Sequence, residues 1–430
     1  MEFVELIEAE YAQYFSNHPK ANFWQSIEMA NMRKQNNWQV AYVGVKQNQS
    51  LVAAAPLYSQ AVYRGYRVFM ILRGFLMDYD DEDLLCFFLE HLKKYLYAHK
   101  CLFVRMDPYV EYQPHTPDGG VIEGAWKNDH LIEIFQRYGF EHQGFRTKND
   151  NNYEPRWMSV ISLEGKDETA VLKQMHGQTR RNIKFVERNG IKTRELAYDE
   201  LDRLYTLVNM TGDRKHFENP TLAYYQSFYT AFKEHKIALY AYLDTQVFYD
   251  RNRNELINLQ KKEEMLKQRI QDQPLTDKNK HKWETLQKEI QIAQTNVAQA
   301  QELIKEHGAE IPLAAGLFVS YPSEIIYLFG GSDDRYKHFR GGYAIQWEMI
   351  KAALQAKVPR YNFYGISGTF TEDSEDYGVF LFKQRLGADV IELLGDFKCV
   401  CAPKIYRQYT MLHRLKDKLQ KRALQNNMGS

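Results

Sequence analysis

The chain has 430 residues, with 56 Lys plus Arg against 55 Asp plus Glu, so its formal charge is +1. Apolar residues at 44 % and charged residues at 26 % are ordinary globular values. Near-neutrality excludes a uniformly basic nucleic-acid coat and leaves room for local basic patches. Four cysteines exclude a disulfide scaffold, and Cys399-x-Cys401 lacks the two-residue spacer of zinc or redox pairs. Thirteen scattered histidines argue against a metal site, so no metal is expected.

The N-terminus, Met1-Glu2-Phe3-Val4-Glu5, is acidic and unlike a signal peptide. No apolar run approaches the roughly 18–20 residues that cross a bilayer. The chain is therefore expected to be cytoplasmic, with at most peripheral membrane contact. Its first strand pair is Val40–Val45 and Leu51–Tyr58, joined by the polar turn Lys46-Gln47-Asn48-Gln49. An amphipathic helix, Leu84 to His99, leads into the strand Cys101–Met106. A second helix, Leu131 to Tyr138, stops at Gly139 before Phe140–Phe145.

The same order returns later. Ile237–Leu243 and Pro312–Val319 form a strand pair, Ala344 to Ala356 is a helix before Tyr361–Tyr364, and Val379 to Leu386 stops at Gly387 before Val390–Gly395. Three matching units in one order indicate a duplicated α/β domain. Hairpin, helix, strand, helix, strand is the order of the GNAT-type acyltransferase fold. Between the second pair of strands, Trp283, Leu286, Ile290, Ala293, Val297, Ala300 and Ile304 step alternately by 3 and 4. Leu256, Leu259, Leu266 and Ile270 keep the same register, and Pro274 breaks the run between them. The expectation is an antiparallel coiled-coil hairpin inserted where the first unit has a short turn, because loop-closure entropy grows slowly with length.

The expected organisation is thus α/β (α+β): two GNAT-like acyltransferase subdomains with an inserted antiparallel coiled-coil helical hairpin. The first spans 1–150 and is completed by residues after 396. The second spans 151–395, with the arm at 246–309. A basic helix follows at 404–423, in which Met411, Leu412, Leu415 and Leu419 share a face. Such a helix suits an anionic membrane surface, or docks on the body with its basic side outward.

Several segments carry a resemblance to a known family. They include Phe23-Trp24-Gln25-Ser26, Arg105-Met106-Asp107-Pro108-Tyr109, Arg180-Arg181-Asn182-Ile183 and Arg360-Tyr361-Asn362-Phe363-Tyr364-Gly365-Ile366-Ser367-Gly368. The run from Phe370 to Lys383, through Glu372-Asp373-Ser374-Glu375-Asp376-Tyr377-Gly378, continues it. Over essentially its whole length the sequence resembles the Fem family of peptidoglycan interpeptide-bridge aminoacyltransferases. One motif departs: the family's Arg-Gly-Pro-x-x-Asp stands here as Arg73-Gly74-Phe75-Leu76-Met77-Asp78, which leaves the local turn open.

The resemblance implies transfer of Gly, Ser or Ala from aminoacyl-tRNA to a stem-peptide amine of lipid II, without a cofactor because the tRNA ester is already activated. It implies peripheral contact with the inner membrane face and a homo- or hetero-dimer among the partners. Lys383 would be an active-site cation near the reacting ester. Arg214, and Arg33 or Lys34 across a two-residue alignment ambiguity, would bind phosphate, a task to which planar guanidinium groups are suited. Tyr225 and Tyr327 would line the same cleft or pack in the core. Asp107 would accept the amine's proton, or act as a turn former before Pro108. Arg180, Lys184 and Arg188, four apart, form a helical stripe that Arg181 extends. The stripe reads as a tRNA phosphate track, or as a solvated face paired with acids such as Glu187. Two other readings remain open on sequence: an acetyl-CoA-dependent acetyltransferase, although Gly341-Gly342-Tyr343 lacks the full pyrophosphate-loop pattern, and a non-catalytic protein working through its arm.

Overall fold

The computed structural model describes residues 1–148, 150, 153–215, 219–271 and 276–428, with side chains described except at 215, 271 and from 416 onward. The inter-helix turn with Pro274 lies outside the described residues. In chain order the strands among the described residues are β1 (Glu2–Leu6), β2 (Gln39–Gln47), β3 (Ser50–Tyr63), β4 (Tyr66–Ile71), β5 (Cys101–Met106), β6 (Glu111–Pro114), β7 (Glu141–His142) and β8 (Trp157–Ser162). They continue as β9 (Ile191–Glu195), β10 (Lys236–Asp244), β11 (Glu310–Ser320), β12 (Ile325–Ser332), β13 (Arg360–Ile366), β14 (Asp389–Leu393) and β15 (Phe397–Val400).

They form two sheets, ordered β1-β2-β3-β4-β5-β15-β7 and β6-β14-β8-β13-β12-β11-β10-β9. Each sheet has four antiparallel strands, then one parallel step, β4 on β5 in the first and β12 on β13 in the second. Each then takes in a strand from elsewhere in the chain. β15 sits between β5 and β7, and β8 sits between β13 and β14. β6 lies within the expected 1–150 unit yet pairs with β14 in the second sheet. An antiparallel partner needs only a nearby free edge, and nothing in the composition of residues 111–114 marks which sheet supplies it.

Helix Glu82–Ala98 shows why local sequence folds as it does. Asp81 accepts a hydrogen bond from the Leu84 amide at 2.9 Å, satisfying one of the free donors of the first turn. Leu84, Leu85, Phe88, Leu89, Leu92 and Leu96 then fall on one face and bury against the first sheet. Each such burial contributes about 1.5–3 kcal/mol before entropy is counted. Helix Gly341–Gln355 does the same for the second sheet through Ile345, Met349, Ile350 and Ala353.

A third core joins the units. Tyr11, Phe15 and Tyr58 of the first unit pack in one cluster with Leu204, Leu207, Phe228, Tyr240 and Leu317 of the second. Within the second unit, helix Leu201–Lys215 lies close on β12 at Gly331, where a Cβ would stand 2.1 Å from the Leu207 carbonyl oxygen. Strands β10 and β11 pair antiparallel as far as Asp244 opposite Glu310. From that point helices Thr245–Gln271 and Asp277–His307 extend and bury Leu259, Leu286, Ile290 and Ala293 between them. Gly308, at φ +70°, ends the second helix. Among the described residues no helix is long and apolar enough to cross a membrane.

Candidate active site

Strand β13 breaks register against β8 between Asn362 and Gly365. Tyr364 occupies the break with φ +64°, a conformation unfavourable for a bulky side chain. The Asn362 side chain holds it there, its Oδ1 accepting from the Tyr364 amide at 2.7 Å. The break turns the carbonyls of Tyr364 and Gly365 toward helix Tyr377–Arg385. The Lys383 ammonium donates to both, at 3.4 and 2.7 Å. Lys383 is buried, and burial lowers its pKa from 10.5 to about 7, with Asp376 opposing.

The Tyr364 phenol points the other way. It donates to Glu154 and accepts from Trp24 Nε1 at 3.0 Å. Trp24, Trp38 and Tyr58 frame the Arg33 guanidinium, whose carbon lies 5.5, 5.5 and 5.8 Å from their ring centres. Arg33 is half-buried and, among the described residues, carries no ion pair. Lys34, its neighbour, faces outward and pairs with Glu8 at 2.8 Å. The two candidate cations are thus separated by the turn of one helix, and only Arg33 joins the network around Tyr364.

Below Glu154 lies Arg73, buried and positive in φ at +59°. Its guanidinium is 3.2 Å from Asp107 Oδ2 and 3.8 Å from Glu154, while its amide donates to Asp107 Oδ1 at 3.1 Å. Burial pushes both carboxyls above the usual carboxylate range, against the pull of Arg73. A buried acid and a half-buried one thus share one guanidinium, and Arg73, Asp107, Glu154, Arg156 and Asp396 line one small pocket. A parallel cluster buries Glu324, which accepts from Asn22, Tyr109 and Asn362 at 2.8, 2.9 and 3.1 Å.

The motif departure at Phe75 has a structural consequence. The Phe75 amide donates to the Tyr79 hydroxyl at 2.9 Å, a bond proline cannot make. The Phe75 ring is buried 4.3 Å from that of Phe88.

The other expected residues lie farther out. Arg214 pairs with Asp334 at the end of helix Leu201–Lys215, both partly exposed. Tyr225 is fully buried, its ring 5.4 Å from Phe329 and its hydroxyl without a partner among the described residues. The neighbouring Tyr224 is the tyrosine that senses the charges of Glu154 and Arg33. Tyr327 lies against Phe318 with its ring over Gly330. Arg180, Arg181, Lys184 and Arg188 are exposed on helix Gly177–Arg188, and among the described residues none carries an ion pair. Glu187 instead accepts from Trp347 at 3.3 Å, while Lys192 and Arg194 pair with Asp244 and Glu200, each at 2.7 Å.

The structure therefore brings Lys383, Arg33 and Asp107 into one network through Tyr364, Trp24, Glu154 and Arg73. Sequence reasoning did not single out these four connectors as site residues. Their signal was present, since Trp24, Tyr364 and Arg73 all stand inside the quoted motifs. Glu154 has none, as it lies in an irregular connection.

A family model described as the FemAB family matches residues 6–414. Aminoacyltransferase FemA of Staphylococcus aureus strain MRSA252 is 33 % identical over 420 residues, covering 97 % of this chain and 100 % of the relative. The FemA of strain N315 matches to the same extent. The crystal structure of FemX superimposes with a TM-score of 0.76 at 22 % identity, over 95 % of this chain and 99 % of that one, so the two share a fold. With the family pattern spanning nearly the whole length and both sheets in place, the chain belongs to the FemAB family.

Proposed function

We propose that this protein is an aminoacyltransferase that moves Gly, Ser or Ala from aminoacyl-tRNA to the lysine side chain or growing bridge on the stem peptide of lipid II. Family membership and the FemA likeness support the transferase reading. The observation that carries the site is Arg33, a guanidinium framed by three aromatic rings and, among the described residues, in no ion pair; its ring partner Trp24 donates a hydrogen bond to Tyr364 at the strand break that receives Lys383. An arginine framed by aromatic rings and outside any ion pair among the described residues suits a phosphate-bearing substrate.

In this reading the acceptor amine attacks the ester carbonyl. A C–N bond forms, the ester C–O bond breaks, and the terminal ribose oxygen leaves with a proton. Lys383 stabilises the oxyanion or an adjacent phosphate. Asp107 takes the amine's proton; sharing Arg73 with Glu154, it belongs to a buried group with one carboxyl more than it has cations. Arg214 reaches pyrophosphate by leaving Asp334, and Tyr225 and Tyr327 shape the cleft wall from behind. The exposed stripe of Arg180, Arg181, Lys184 and Arg188 tracks tRNA phosphates. The arm is an antiparallel coiled coil, and the enzyme works in the cytoplasm against the inner membrane face.

The test is mass spectrometry of lipid II after incubation with a mixed pool of charged tRNAs. The mass gain names the residue and the number added. No gain with any charged tRNA overturns the proposal.

A further inference from the structure

The helix Pro403–Met428 leaves the first sheet directly after β15. Its first turns are fastened to the body by one face. Tyr406 meets Phe103 at 5.5 Å and hydrogen-bonds Lys398, and Tyr409 meets Phe103 and Tyr63, both at 6.4 Å. Tyr406, Tyr409 and Thr410 are half-buried there. At 3.6 residues per turn, Met411, Leu412 and Leu415 point to the opposite side. Their exposures are 64 %, 49 % and 48 %, the most concentrated exposed apolar residues on any one helix face among the described residues. Among the described residues nothing covers them.

The residues around this stripe decide what does. Lys404, Arg407 and Arg414 flank it on the described turns, and the sequence continues with Lys416, Lys418, Lys421 and Arg422 against the single acid Asp417. The segment from 404 to 422 thus holds seven basic residues and one acidic, while the rest of the chain holds 49 basic and 54 acidic. The rest of the chain is net acidic, and the helix reverses that locally. Apolar side chains flanked by lysine and arginine match an acyl boundary beneath acidic headgroups. A second copy of the chain would bring seven like charges against seven, and a tRNA would leave the apolar stripe in water.

We infer that the exposed face of this helix binds the surface of an anionic bilayer, with Met411, Leu412 and Leu415 entering the headgroup–acyl boundary and the flanking cations held by acidic headgroups. This deepens the proposed function, since it rests on the reading that the acceptor is lipid-linked. Transfer then takes place at a membrane the enzyme itself holds.

The test uses the full chain and vesicles that contain no lipid II. Co-sedimentation with phosphatidylcholine vesicles is compared with vesicles holding about 30 % phosphatidylglycerol, at low and high salt. The expected result is binding to the anionic vesicles alone, weakened by salt, and a loss of at least tenfold in the M411E/L412E/L415E variant. That variant alters only exposed positions, and near-wild-type circular dichroism and melting check its fold. A second variant, R407Q/R414Q, is expected to lose binding while keeping the apolar stripe. Equal binding to neutral and anionic vesicles overturns the inference, as does wild-type binding by the triple variant. Loss of self-association or of tRNA affinity in the triple variant, with vesicle binding unchanged, also overturns it. Because the vesicles carry no acceptor, failure here is distinct from failure of the transfer assay.

Discussion

The Lys383 ammonium lies 2.7 Å from the carbonyl oxygen of Gly365, at a strand break that only a strained Tyr364 makes available. Two neutral carbonyls replace water poorly for a full charge, so burial lowers the lysine pKa from 10.5 to about 7. The sign of the stability effect follows. Below pH 7 both folded and unfolded lysine are protonated and the full burial cost is felt. Between pH 7 and 10.5 the unfolded chain binds more protons, so stability rises with pH by up to about 1.4 kcal/mol per unit. Lys383→Met removes this term. Relative to wild type, the variant should therefore fare better at pH 6.5 than at pH 9 by about 2–3 kcal/mol in urea unfolding. A difference independent of pH would mean that Lys383 is not desolvated.

Arg33 and Lys34 are adjacent and should differ sharply. Lys34→Ala removes an exposed pair with Glu8, worth less than about 1 kcal/mol, and should leave kcat/KM within about twofold. Arg33→Ala should raise the KM for the lipid-linked acceptor by about tenfold or more, since a phosphate contact by arginine is charge-assisted. Arg33→Lys should recover little of it, because an ammonium does not stack on Trp24 and Trp38 in the same way. Equal effects at both positions would dissolve the distinction.

Asp107→Asn separates a proton-accepting role from a purely structural one. As the base it should lower kcat by about 10²–10⁴-fold with little change in KM, and the acidic limb of the kcat–pH profile should disappear. A drop in melting temperature with kcat and its pH profile unchanged would leave Asp107 only the task of holding Arg73.

Introducing the family's proline at Phe75 should destabilise this chain. Phe75→Pro removes a buried ring and the amide that donates to Tyr79 at 2.9 Å. Chemical denaturation should show a loss of about 3–5 kcal/mol. Tyr79→Phe, which removes only the hydroxyl acceptor, should cost about 1 kcal/mol. A neutral Phe75→Pro would show that the turn tolerates both residues.

Reversing Arg180, Lys184 and Arg188 to Glu should weaken aminoacyl-tRNA binding and flatten its dependence on salt, with kcat at saturating tRNA unchanged. Fluorescence titration with charged tRNA from about 50 to 200 mM salt reads both quantities. An unaltered salt slope would return the stripe to a solvated surface.

Sequence alone determined whatever depends on local periodicity. The apolar face of the helix after Asp81, the stop at Gly139 and the heptad steps from Trp283 to Ile304 are readable because each is fixed by spacing along one element. The repeat of hairpin, helix and strand was legible for the same reason, and the quoted motifs already contained Lys383 and Asp107, whereas Arg33 and Lys34 stand as alternatives in the alignment. What only the tertiary structure decided is which distant residues meet. The placing of β6 on the second sheet and the entry of β15 between β5 and β7 are choices among free strand edges, which composition does not rank. The orientation of Arg33 toward Trp24, Trp38 and Tyr58 and of Lys34 toward Glu8 depends on contacts between separate elements of the first unit, which spacing along one helix does not reveal. Tyr364 acquired its role from a register break against a strand some 200 positions away, and Glu154 from a connection without periodicity. Side chains that act across such separations are set by shape and burial in the assembled core, which a one-dimensional pattern does not carry.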